Sequence, residues 1–476
     1  MQNKSVDLIQ RDPVLSAPFI IHRLSGSSWF YWVTLIAVAT IVRVGVVFFP
    51  LDSMPLVGDA LSYSEEGKKL LAKFPGETAY FWPPGLPYVL AFIYWVFGDG
   101  IVVARVSTII LSVLNTVMIA LLSGRVLKDP RAARLSGWIA AFYPPDVMMA
   151  GQTYTQHLAA FCLLVMAFWL LMGYERKRWW YFGLAGLALG WGSLTRPSLQ
   201  SLALVLLILL MLVLWRSPSV TSTGRIRWIL SGSLAFVLGA VGCMVPVMHY
   251  NASHGAGWTI STNNERNLFL GNNPYTPYYK TSQLGQRGLD QVEAEVSAYL
   301  RKFYDREDAR QAMMGEAIRY ITEHPFITLW RTMNRIRAFW GFDYIMSREI
   351  QEHYGMGLNG LGLLLTVEAG GYCLVMLMIL AGLFCAWQEV RLYGSIVLIL
   401  LVIGYQLPYA VAFSGGTYHF PVMGLLMPFA GATLTRVFNG GIRNWTCPGG
   451  KGWMWLSFGL FTLIQAEYAY YLISMK

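Results

Sequence analysis

Gly58-Asp59-Ala60-Leu61-Ser62-Tyr63, running on to Phe81-Trp82-Pro83-Pro84-Gly85, is a polar stretch between two apolar ones. It follows the first long apolar segment and carries a carboxylate, a phenol and the lysines Lys68, Lys69 and Lys73 within about one helix length. Its Pro-Pro-Gly forces the backbone out of regular structure before the next apolar run. A carboxylate on a short helix beside a membrane is where chemistry is to be sought first.

The surrounding composition makes the membrane part of that reading firm. The 476 residues are 55% hydrophobic and only 13% charged, with a mean hydropathy of +0.46. A soluble domain of this length does not have that composition, so the chain reads as an all-α polytopic membrane protein. Eighteen tryptophans suit aromatic belts at both interfaces. The formal charge of +10 marks cytoplasmic loops, and no nucleic-acid partner is expected. Cys162, Cys243, Cys373 and Cys385 lie in apolar runs and read as small hydrophobes.

Apolar length gives about eleven spans. They are Trp29–Pro50, Ile101–Leu122, Leu135–Gly151, Leu158–Gly173, Tyr181–Leu194, Leu199–Trp215, Trp228–His249, Leu358–Trp387, Leu392–Phe413, Phe420–Val437 and Trp453–Ser474. The basic clusters around Arg131, Lys177, Arg225 and Arg443 then fall on the side of the N-terminus, which the positive-inside rule places in the cytoplasm. The implied organisation is a cytoplasmic tail (1–28), a transmembrane catalytic module (29–249) with a first outer loop (51–100), an outer-face loop domain (250–357) and a second transmembrane module (358–476). Within the outer domain, Phe326–Trp340 is amphipathic and aromatic and reads as lying on the membrane surface.

If Asp59–Lys73 is helical, Asp59, Tyr63 and Glu66 share a face, with Lys69 and Lys73 on an adjoining one. That face suits a general base acting on a lipid-linked anion, and equally a solvated loop helix. Asn267-Leu-Phe-Leu-Gly-Asn-Asn-Pro274, after Glu265-Arg266, offers turn amides for a sugar or phosphate, or an ordinary Asx-rich turn. Arg196 and His419 stand at span boundaries, where snorkelling or capping is the plainer reading. Asp146, Glu368 and Glu467 are ionisable groups in or near spans, and Asp146 follows Pro144-Pro145, where a helix break would admit water. Asn251-Ala252-Ser253 is a glycosylation sequon. No phosphate-binding loop of the GxxxxGK[ST] type occurs.

Taken together, Gly58–Tyr63, Trp82-Pro83-Pro84-Gly85-Leu86-Pro87-Tyr88, Ala140-Ala141-Phe142-Tyr143-Pro144, Leu194-Thr195-Arg196-Pro197, Asn267–Pro274 and Glu323-His324-Pro325 resemble the ordered motifs of the GT-C membrane glycosyltransferases. The nearest resemblance is to glycosyltransferase family 39 and the aminoarabinose-transferase-like enzymes, with the protein O-mannosyltransferases further off. The resemblance implies the GT-C fold with two large outer-face loops. It also implies transfer of a sugar from a polyprenyl-phosphate donor to an acceptor on the outer face. Asp59 matches the first-loop aspartate that is usually catalytic in the family. Two positions depart from the pattern: Gln156 stands where an acidic residue is common, and Thr417-Tyr418-His419-Phe420-Pro421 lacks a frequent arginine.

The resulting expectation is an inverting transferase with Asp59 as general base and Asp146 as a second acid. Lys69, Arg196, Arg266, Asn272 and Asn273 would bind the donor, and Tyr63, Gln156 and His419 would position substrate. The acceptor is a glycan, lipid or protein that the sequence does not specify. No metal ligand is assigned and no cofactor is fixed, a divalent metal being compatible. The expected location is a bacterial plasma membrane, among membrane lipids, with the site on the outer face. The competing class is a lipid or sugar flippase or transporter without transferase activity, which would need repeats and a midplane site that the sequence does not display. A non-catalytic scaffold is the third class.

Overall fold

The apolar runs fold as helices, whose ends fall where proline, glycine and polar residues interrupt them. The computed structural model describes residues 26–203, 222–278, 284, 288–385, 390–440 and 450–474. The tail (1–28) and the expected span Leu199–Trp215 therefore lie largely outside the described residues.

The first half holds α1 (Gly26–Phe48), α2 (Asp59–Ala72), α3 (Gly85–Phe97), α4 (Ile101–Val126), α5 (Pro130–Ala141), α6 (Pro144–Met149), α7 (Thr155–Arg176), α8 (Trp180–Thr195) and α9 (Ser222–Ser253). Residues 250–357, expected as the outer domain, hold α10 (Asn264–Gly271), α11 (Ala294–Tyr304), α12 (Ala309–Glu323), α13 (Pro325–Phe339) and α14 (Ile345–Tyr354). The last module holds α15 (Leu358–Cys385), α16 (Leu392–Val411), α17 (Phe420–Gly440) and α18 (Lys451–Ser474).

Among the described residues, seven helices are long and apolar enough to cross a membrane: Trp29–Phe48, Ile101–Val126, Thr155–Arg176, Ile226–Ser253, Leu358–Cys385, Leu392–Val411 and Gly416–Gly440. The count of about eleven is not reached among the described residues. The expected span Leu135–Gly151 breaks into α5 and α6, because Pro144 and Pro145 cannot continue the preceding helix. Tyr181–Leu194 is α8, only 16 residues long. The last expected span is α18, a helix of 24 residues that falls outside the seven.

The main core runs through α5, α7, α8, α15, α16 and α17 around Leu163, Phe182, Tyr405 and Phe429. The two long connections, 51–100 and 250–357, are tied down rather than loose. α2 and α3 form a hairpin closed by Ser64 Oγ on Tyr94 Oη at 2.7 Å, and α10, α11 and α12 pack around Phe269, Leu300 and Met313. The sequon asparagine, Asn251, is buried, donating to Thr259 O at 2.8 Å and accepting from Tyr80 N at 2.9 Å. Its amide is spent on structure and is closed to glycosylation in the folded chain. Cys162, Cys243 and Cys373 are free thiols. Cys385 is disulfide-bonded, so its reading as a plain small hydrophobe fails.

Candidate active site

The backbone leading to Asp59 is held at several carbonyls and amides by side chains of α4 and of the segment before α7. The buried Arg105, on α4, donates to the carbonyls of Asp52 at 2.8 Å, Leu51 at 3.2 Å and Met54. Gln152, just before α7, donates to Pro55 O at 2.9 Å and accepts from Val57 N at 3.1 Å. Thr153 donates to Ala60 O. Gly58 then turns the chain at φ 52, which a residue with a side chain rarely adopts, and Asp59 opens α2.

Arg196 reaches the same place from another motif. Gly85 at the start of α3 lies against the end of α8, where an added β-carbon would stand 2.6 Å from Thr195 Oγ1. The Pro-Pro-Gly and Thr-Arg-Pro motifs are thus one junction, possible because Gly85 has no side chain. The Arg196 guanidinium lies 5.4 Å from the Tyr418 ring centre. Tyr418 stacks on Tyr409 at 4.8 Å, and the Tyr409 hydroxyl bonds Ser198 Oγ at 2.9 Å and Tyr405 Oη at 3.1 Å. Arg196 Nη1 is buried and has no hydrogen-bond partner among the described residues. An unspent donor on a planar fork has the chemistry to take an anionic oxygen.

Asp59 keeps an exposed face while protein crowds it on the other sides. That burial pushes its carboxyl above the usual carboxylate range, against the opposing pull of the Arg196 charge. Tyr63, one turn on, is buried with its ring 5.4 Å from Trp82. Burial and the nearby Asp59 hold its phenol protonated, its charge being opposed by Arg196. Asp59, Tyr63 and Arg196 therefore sit within one another's electrostatic field. A base with raised proton affinity beside a fixed cation can accept a proton and stabilise a leaving anion.

The other expected residues stand elsewhere. Lys69 pairs with Glu66 at 2.7 Å on an exposed surface. Arg266 turns toward Tyr304, 3.4 Å from its hydroxyl and 5.5 Å from its ring centre. Asn272 and Asn273 are buried and occupied. Asn272 donates to Leu268 O at 3.0 Å and Val411 O at 2.9 Å and accepts from Arg335. Asn273 donates to Phe269 O at 2.8 Å and accepts from Tyr275 N at 2.9 Å. Asn272 thus latches the turn to the end of α16 and Asn273 closes the turn on itself, so both amides are already engaged where a donor contact was expected. His419 is buried, bonded through Nδ1 to Phe339 O at 2.8 Å and stacked on Tyr372 at 4.3 Å, a packing role in place of the expected substrate contact. Gln156 is buried in the first turn of α7.

Asp146 is also corrected. The helix break above it does not give it a free carboxylate. Arg43, fully buried in α1, pairs with Asp146 and donates to the Ala141 and Ala140 carbonyls at 3.0 and 3.3 Å, to which Pro145 and Pro144, four residues on, have no N–H to give. Ser112 also donates to Asp146. His157 Nε2 lies 3.2 Å from Asp146 Oδ1, close enough for a charge contact though off hydrogen-bond geometry. Asp146 is the counter-ion of a structural arginine. Arg43 was missed, although an arginine inside an apolar span is a signal in itself. Glu368 accepts from Ser347 N at 2.8 Å and Oγ at 2.6 Å, and Glu467 pairs with Arg337 at 2.8 Å. No cluster of three or more His, Cys, Asp or Glu fit to hold a metal occurs among the described residues.

The described helices form a fold of the GT-C type. Residues 82–245 match the family model described as dolichyl-phosphate-mannose-protein mannosyltransferase, in agreement with the resemblance read from the motifs. By fold the chain is similar to the archaeal oligosaccharyltransferase AglB from Archaeoglobus fulgidus, solved with an inhibitory peptide and a dolichol-phosphate. The TM-score is 0.50 at 13% identity, covering 94% of this chain and 56% of that one. The chain thus spans a little over half the length of that relative. A weaker similarity, TM-score 0.39 at 16% identity over 87% of this chain and 79% of that one, is to ArnT from Cupriavidus metallidurans bound to undecaprenyl phosphate. No curated protein matches the chain by sequence.

Proposed function

We propose that the chain is a membrane glycosyltransferase that moves a sugar from a polyprenyl-phosphate donor to an acceptor hydroxyl on the outer face. The observation that carries this reading is the juxtaposition of Asp59, open to solvent and raised in proton affinity, with Arg196, whose buried Nη1 has no partner among the described residues. Asp59 takes the proton of the acceptor hydroxyl. The oxygen's electron pair forms the new bond to the sugar C1, and the bond from C1 to the phosphate oxygen breaks on the opposite side. The leaving electron pair stays on the phosphate, whose negative charge Arg196 receives. Attack opposite the leaving group inverts C1, through an oxocarbenium-like transition state. Tyr63, one turn on and held against Trp82, stays protonated beside the base.

The relatives' lipid phosphates and the match to a sugar-transferase family support the donor class. The test is transfer by the purified full chain, supplied with lipid-linked glycans extracted from its host. Wild type should release polyprenyl phosphate and lose activity on Asp59→Asn. Lipid movement across vesicles without any release of polyprenyl phosphate would instead establish the transporter class.

A further inference from the structure

α13 is built inside out for a helix in water. Its buried side carries Arg331, Asn334 and Arg335, while Phe326, Leu329, Trp330, Met333 and Ile336 point outward. Phe326 is 86% exposed and Met333 57%. At about 100° per residue the outward five span roughly a third of the helix circumference, opposite the arginines. An apolar stripe of this width facing water is what a soluble surface avoids.

The inward face shows that this orientation is held. Arg335 donates to Val411 O at 2.8 Å, to Gly271 O and to Asn272 Oδ1 at 3.2 Å. Arg331 donates to Asn273 O at 3.1 Å and to Thr276 O, with the rings of Tyr278 and Tyr320 beside it. Rolling the helix to hide its apolar row would strip both guanidinium groups of these carbonyls. The spanning helix α16, against which α13 packs, also exposes the apolar residues Val411, Leu407 and Ile403, and α18 exposes Leu463 and Tyr470. Arg337, on the outward side of the last turn, is tied to Glu467 of α18 at 2.8 Å, so α13 stays level with the ends of these helices.

We infer that the Phe326–Ile336 row of α13 is seated in the hydrocarbon of the adjacent phospholipid leaflet, and that the bilayer is thereby a structural partner of the outer domain. The two buried arginines link that seat to the Gly271–Asn273 turn and the end of α16, the helix that carries Tyr405 and Tyr409. The leaflet, and not a protein, is the occupant because α13 packs against a spanning helix that itself exposes apolar residues to lipid. The inference does not depend on the sugar-transfer reading.

The test is photo-cross-linking of the full chain in phosphatidylethanolamine–phosphatidylglycerol vesicles. p-Benzoyl-phenylalanine replaces Met333 in one variant and Thr322, exposed at the end of α12, in a second. Intact-mass analysis after irradiation should show phospholipid adducts several-fold more abundant at position 333 than at 322. Equal labelling at the two positions would overturn the inference, as would cross-linking of 333 to a second copy of the chain or to a bound protein. If the Met333 variant does not fold, the same probe at Leu329, on the same row, gives the same decision.

Discussion

Gly85 and Thr195 are in direct contact: a β-carbon on Gly85 would stand 2.6 Å from Thr195 Oγ1 and 2.7 Å from Thr195 N. Arg196 is the next residue, so this junction fixes how far its guanidinium stands from the helix that carries Asp59. Gly85→Ala must push α3 and the end of α8 apart. Such overpacking costs about 1–3 kcal/mol. Gly100→Ala is the control, since nothing lies within 4 Å of its β-position. The expected result is a lower thermal midpoint and slower sugar transfer for Gly85→Ala alone. Two variants alike in both measurements would remove the junction from the site.

The junction also shows what a sequence can and cannot reveal here. Asp59 and Tyr63 share one motif and Arg196 lies in another, and the fold brings the two motifs within electrostatic reach. Asn272, Asn273 and His419 carry the same kinds of polar groups, yet these are consumed by carbonyls and rings that only the tertiary structure supplies. Residue type announces hydrogen-bonding capacity and does not say whether it is already spent. The span count suffered similarly. Apolar composition continues through Phe142-Tyr143-Pro144, so length alone runs across a break that the prolines impose. Arg43, which repairs that break, was hidden by the apolar run around it.

Asp146 should behave as a counter-ion. Removing one partner of a buried pair costs about 3–5 kcal/mol, because the remaining charge is stranded. Asp146→Asn should therefore lower the thermal midpoint sharply, and Arg43→Met added to it should recover part of the loss. Transfer per folded molecule should stay close to wild type in Asp146→Asn. A well-folded Asp146→Asn protein with no turnover would restore Asp146 to catalysis.

Arg196 and Arg266 make opposite predictions. Losing a hydrogen bond to a charged group costs about 1.5–3 kcal/mol, or roughly 10- to 100-fold in affinity. Arg196→Met should raise the donor KM by that order, and Arg196→Lys should recover only part, since a point charge lacks the planar fork. Arg266→Ala should change the donor KM no more than Arg301→Ala does, because Arg266 is turned onto Tyr304. A larger KM effect at Arg266 than at Arg196 would move the phosphate seat into the outer domain.

Orientation is testable without a substrate. With the N-terminus in the cytoplasm and the C-terminus outside, an impermeant thiol reagent should reach a cysteine placed at Ser474 in intact cells and miss one at Ser5. The reverse pattern would put Asp59 in the cytoplasm and end the outer-face reading.

Asp59 carries the sharpest expectation. Gly58, and not Asp59, occupies the cap position of α2, so the structural worth of Asp59 is that of a charge in a first helical turn, about 0.3–1 kcal/mol. A general base contributes roughly 10²–10⁴ in rate. Asp59→Asn should therefore lose activity by that factor in kcat, with donor binding and expression little changed. The pH dependence separates the two roles further. Burial raises the carboxyl's proton affinity in the folded chain, so the wild-type rate should fall with acid at a pH above the usual carboxylate range. The Arg196 charge works against that rise, so Arg196→Met should carry the acidic limb to still higher pH, and Asp59→Asn should abolish the limb. Stability has the opposite slope. The folded state binds this proton more tightly than the unfolded state, so the contribution of Asp59 is fully present below its unfolded pKa and is lost as pH rises through the folded one. Asp59→Asn should accordingly lose less stability than wild type over that interval. Near-wild-type transfer by a folded Asp59→Asn protein, with its acidic limb intact, would assign the base to another residue.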